Sequence, residues 1–107
     1  MAISKAESAR KRITRGSILY MLYISQSAPM MISTIELAML PENPQIGTEL
    51  IPQINYLLDR GYIRKANDPE EPTVHHMRGV LVRITDKGQD VVEGTTPDPG
   101  IVFSGVG

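Results

Sequence analysis

The residues whose types could do chemistry are few. His75 and His76 are the obvious metal-ligand candidates among the 107 residues. Adjacent histidines in a strand point to opposite faces, and no third-ligand cluster accompanies them, so no metal site is expected. The sequence has no glycine-rich phosphate loop, no GxSxG elbow and no cysteine to act as a nucleophile. Serine, histidine and aspartate all occur, but their order and spacing suggest no nucleophilic relay. The chain is therefore not expected to be an enzyme, and no cofactor is implied.

The chemistry that remains is recognition, and it concentrates in Gly47 to Arg64, GTELIPQINYLLDRGYIR. Leu50, Ile54, Leu57 and Leu58 recur at the three- and four-residue spacing of one helix face. Gln53, Asn55, Tyr56, Asp59 and Arg60 fall on the other sides. Gly61 offers a helix stop because glycine takes the left-handed conformation without steric cost. Tyr62 and Ile63 then favour a strand. The helix start is open: with Thr48 as cap, Pro52 falls four positions in, and with a start near Ile51, Pro52 sits in the first turn.

Charge is strongly segregated. The overall formal charge is only −1, and a pI near 6.1 argues against indiscriminate nucleic-acid binding. Residues 1–15 nevertheless hold Lys5, Arg10, Lys11, Arg12 and Arg15 against Glu7, whereas residues 16–59 hold Glu36, Glu42, Glu49 and Asp59 with no lysine or arginine. Basic character returns from Arg60 to Lys65. An apolar fraction of 41% and a charged fraction of 21% suit a single globular domain. No apolar run is long enough for a membrane span, no signal peptide is visible, and the absence of cysteine fits a cytoplasmic location.

The elements that must position the recognition stretch read as follows. Residues 4–26 form a first helix, with Ser4 as its cap. Its apolar run Ile18–Ile24 suits a buried helix or a buried strand by periodicity, and Ala6 to Lys11 favour the helix. Met30 to Ile32 make a minimal strand. Ser33-Thr34-Ile35-Glu36 reads as a capping box opening a short helix through Leu40. Polar residues 66–73 form a loop, and Arg78–Ile84 is a strand with Val80, Val82 and Ile84 on one face. Thr85 caps a last short helix, and residues 95–107 read as a flexible tail whose Ile101–Phe103 can dock on a partner or on the domain.

Three stretches, ISTIELAML, LLDRGYIRK and RGVLVRITDKGQDVVE, together resemble the winged helix-turn-helix domain of bacterial regulators of the MarR, PadR and ArsR types. The resemblance implies an α+β winged helix-turn-helix fold: a three-helix core, a two-stranded β-wing and a short C-terminal helix. The implied division is a basic arm or helix extension (1–15), the winged-helix domain (16–94) and the tail (95–107). It further implies double-stranded DNA as partner, with Thr48, Glu49, Gln53 and Tyr56 on the groove-facing side of the third helix. Gln53 is suited to a bidentate contact with adenine. Arg78, His75 and His76 fall at the wing, and Arg60, Arg64 and Lys65 can reach backbone phosphates. A homodimer built from terminal segments would match the two-fold symmetry of operators. The alternative is a winged helix used as a protein-interaction or assembly module, for example in a phage. The acid-leaning third helix favours that alternative, and the basic arm and wing favour the regulator.

Overall fold

The computed structural model describes residues 4–25, 28–67 and 77–103, and within them the chain is an α+β protein of four helices and one three-stranded antiparallel sheet. In order, the elements are α1 (Lys5–Ile24), β1 (Met30–Met31), α2 (Ile32–Met39), α3 (Ile46–Asp59), β2 (Ile63–Lys65), β3 (Leu81–Ile84) and α4 (Asp86–Val92). The apolar run Ile18–Ile24 is helical. Ser4 caps α1 by accepting the Glu7 N–H at 3.1 Å, which satisfies one of the donors that every helix start leaves open.

The sheet order is β1-β3-β2. Its register places Met30 opposite Val82 and Arg64 opposite Arg83. Strand alternation turns Val80, Val82 and Ile84 inward, where they meet Ile18, Leu19 and Leu22 of α1 and Ile54 and Leu57 of α3 in one core. The end of α3 follows the glycine logic closely. Gly61 has φ +76°, its N–H donates to the Leu58 carbonyl, and the Tyr62 N–H donates to the Leu57 carbonyl, both at 3.0 Å. These are the two bonds of a Schellman motif, and they turn the chain directly into β2. Thr85 caps α4 by accepting the Gly88 N–H at 3.1 Å.

Three expectations need correction. The capping box at Ser33 does not form: α2 starts at Ile32, and no side chain caps it. The Ile32 and Ser33 N–H groups instead donate to the carbonyls of Val80 and Arg78, both at 3.0 Å. The helix start is thus satisfied by the segment that leads into β3, and Glu36 is free to pair with Arg78 (3.0 Å). Second, α3 starts at Ile46, earlier than either option read from the sequence, with Pro52 well inside it. Pro52 faces solvent, so the Thr48 carbonyl that loses its helical donor can turn to water. Third, the C-terminal stretch is not a loose tail through residue 103. Ile101 is buried, the Val102 N–H donates to the Arg12 carbonyl (3.1 Å), and Arg15 Nη1 donates to the Gly100 carbonyl (3.0 Å). Ile101 is therefore spent on its own domain and is no spare dimer surface. Among the described residues, no helix is long and apolar enough to cross a membrane.

Candidate nucleic-acid interface

The face of α3 that reaches solvent is set by helical spacing. Thr48, Pro52, Asn55 and Asp59 are exposed, and steps of three and four residues make them one stripe. Leu50, Gln53, Ile54 and Leu57 make the opposite, buried stripe. Gln53 is thus on the wrong side for a groove. It is 3% exposed, and its Oε1 accepts from Arg15 Nε at 2.7 Å. The expectation that it reads a base is corrected by this contact: a buried amide needs a partner, and α1 supplies one.

The other α3 candidates are also committed inward or sideways. Glu49 accepts from Arg10 Nε (2.9 Å) and from Asn43 Nδ2 (3.0 Å). Tyr56 is half-buried between two guanidinium groups, with Arg15 Cζ 3.8 Å and Arg60 Cζ 4.8 Å from its ring centroid, a cation–π arrangement. Its hydroxyl donates to Asp98 Oδ1 at 3.4 Å. Thr48 is exposed, and its hydroxyl donates to the Gln45 carbonyl. Arg78 pairs with Glu36 and donates to the Gly47 carbonyl (3.3 Å), holding the α2 and α3 starts together. His75 and His76 lie outside the described residues.

Asp98 is the centre of a polar knot beneath this face. Its side chain is 5% exposed, and it accepts hydrogen bonds from the Tyr62 and Tyr56 hydroxyls and from the Gly100 N–H (2.7 Å). Burial alone would raise its pKa, but the bonds from Tyr62 and Gly100, the charge of Arg60 and the bond from Tyr56 together hold it below 3.8. Burial, the hydrogen bond to Asp98 and the negative charge of Asp98 push Tyr62 up to about 12.

Free positive charge gathers elsewhere. Arg64 and Lys65 are exposed on β2, Arg83 faces Arg64 across the β2–β3 register, and Lys87 projects from α4 with Nζ 5.6 Å from the Tyr62 ring. Arg60, with 54% of its side chain exposed, adds to this end at the last turn of α3, its nearest carboxylate being Asp98 at 3.9 Å. Among the described residues the ion pairs are Arg10–Glu49, Arg60–Asp98 and Arg78–Glu36, so Arg64, Lys65, Arg83 and Lys87 have no carboxylate partner there. An open concavity of about 610 Å³ is lined by Arg64, Arg83, Ile84, Thr85, Asp86 and Lys87. The sequence candidates Arg60, Arg64 and Lys65 are thus brought to one end of the molecule, while Thr48 and Glu49 lie at the opposite end of α3. Arg83, Lys87 and Asn55 escaped the sequence candidates. Strand alternation already put Arg83 on the outer face; its neighbour across the sheet could not be read without the register.

No protein-family model matches the chain, and no match is found among curated proteins or solved structures.

Proposed function

We propose that the chain is a winged-helix domain that binds double-stranded DNA, as a transcriptional regulator would, through backbone contacts made by the hairpin end of the molecule. The fold part of this proposal is supported by the element order helix, strand, helix, helix, strand, strand and by the sheet order β1-β3-β2. The binding part is carried by one observation. The cations without a carboxylate partner among the described residues around the sheet, the exposed Arg64, Lys65 and Lys87 and the half-buried Arg83, gather at the end of the molecule that holds Arg60, with Lys65 on the other face of β2 from Arg64. Phosphate affinity follows local cation density rather than net charge, so a chain of net charge −1 can still bind at one end. Base discrimination falls to Asn55 and Thr48, the exposed polar side chains of α3, and asparagine can pair with an adenine edge.

One observation favours the second reading, a protein-interaction or assembly module. The exposed α3 stripe carries no cation and ends in Asp59, which is poorly suited to a phosphate-lined groove. Titration of a labelled random-sequence duplex at two salt concentrations separates the two. DNA binding predicts retention at low salt with a log–log slope of about −3 to −4 for four contacts. No retention at low salt would remove the DNA reading and leave the module.

A further inference from the structure

We propose that the concavity between Arg64, Arg83 and Lys87 seats a backbone phosphodiester of nucleic acid and is the anchoring contact of this domain. The inference rests on the DNA-binding reading and names the site and chemistry of its principal contact. It places the anchor on the outer face of the sheet and joins Arg83 and Lys87, which the sequence resemblance does not name, to Arg64, which it does.

Arg64 and Arg83 are directly opposite residues of an antiparallel pair, so their side chains leave the same face of the sheet within a few ångströms of each other. Like charges so placed oppose folding, and among the described residues no carboxylate forms an ion pair with either. An anion between the two would. Guanidinium groups offer planar forks of N–H donors that match the paired oxygens of a phosphate. Lys87 enters from α4 and adds a compact ammonium, with its Nζ 5.6 Å from the Tyr62 ring centroid. Asp86 also lines the concavity, leaving three cations against one carboxylate. The Thr85 hydroxyl is already engaged, donating to the Gly61 carbonyl at 2.6 Å and accepting from Gly88, so the seat is selective by charge and fork geometry rather than by hydroxyl contacts.

The occupant follows from the surroundings. The concavity is shallow and open to solvent, so it admits a phosphate still joined to its flanking sugars. Arg60 adds an exposed cation at the end of α3, and Lys65 stands next to Arg64 on the other face of β2. A nucleic-acid strand offers a charge at every nucleotide and so meets Arg60 as well as the central pair; a single carboxylate or free phosphate would satisfy only the pair.

The test uses the full chain with Arg83→Gln, Lys87→Gln and Arg83→Lys, each checked by thermal melting. The side chains are on the surface, and Arg83→Gln should melt no lower than the parent because it removes a like-charge pair. Each Gln variant is expected to weaken duplex binding about tenfold at 50 mM salt, equally for all sequences, and to lower the salt slope by about one. Arg83→Lys keeps the charge and should retain the slope while losing affinity through the missing fork. Parent protein that binds duplex while both Gln variants keep its affinity and slope would overturn the seat and leave the DNA reading standing. Parent protein that binds no duplex at low salt would overturn both. Retention of a poly-glutamate peptide as tight as that of duplex would overturn the phosphodiester assignment in favour of an acidic protein partner.

Discussion

Asp98→Ala is expected to lower the unfolding free energy by about 3 kcal/mol, the scale of breaking a buried charged cluster from one side. The carboxylate is nearly inaccessible and accepts from two tyrosine hydroxyls and a backbone N–H. Its removal leaves the Tyr62 hydroxyl without an acceptor and releases the turn at Gly100, hence the backbone that crosses α1 at Arg12 and Arg15. The effect has a pH signature. Asp98 is more acidic folded than its usual 3.8, so its contribution is complete above that value and is lost as pH falls through the lower folded one. Tyr62 is less acidic folded, about 12 against 10.0, so its contribution is complete below pH 10 and is lost as pH rises toward 12. Urea unfolding across pH should show both limbs. Asp98→Ala should flatten the acid limb and Tyr62→Phe the alkaline one. An Asp98→Ala midpoint equal to the parent's at pH 7 would show that the knot holds nothing together.

Gly88→Ala is expected to cost about 2–3 kcal/mol, although alanine is the better helix former by about 1 kcal/mol. Gly88 lies buried within α4 with no positive φ, so backbone freedom is not the reason for glycine there. Space is. A Cβ at this position would be driven into the Tyr62 carbonyl oxygen and within 2.8 Å of Ile84 Cγ1. The Tyr62 carbonyl also accepts from the Thr85 N–H at 3.0 Å, so it cannot retreat without breaking the junction between β2, β3 and α4. That junction carries Arg64, Arg83 and Lys87 of the proposed seat, so on that proposal the variant should lose duplex binding along with stability. A thermal midpoint equal to or above the parent's would contradict the close approach of α4 to the sheet.

Much of the fold was legible because local signals and tertiary contacts agree. Gly61 ends α3 as its chemistry requires, Ser4 and Thr85 cap as read, and the alternation of Val80, Val82 and Ile84 matches their burial. Three of the misreadings, at Ser33, Gln53 and residues 95–103, share one cause, a partner distant in sequence. Ser33 had the pattern of a cap, but carbonyls of Arg78 and Val80 reached the helix start first. The sequence reading sets Gln53 off the Leu50–Leu57 face, although it stands three residues after Leu50 and four before Leu57, and the structure buries it. Polarity suggested otherwise, since Arg15, its partner, is 38 residues away. Residues 95–103 looked loose by composition, and only the crossing of α1 and the Asp98 knot show why they pack. The candidate site was half visible: Arg60, Arg64 and Lys65 stand together in the sequence, whereas Arg83 and Lys87 join them only through the β2–β3 register and the return of α4.

Amide chemical-shift mapping of the ¹⁵N-labelled chain with a random-sequence duplex at low salt tests the proposed DNA contact most directly. The account predicts the largest shifts at residues 60–65 and 81–88, with smaller ones at Thr48 and Asn55. Shifts centred instead on the groove between α1 and α2, around Ala9, Ile13 and Ala38, or no shifts at all, would contradict it.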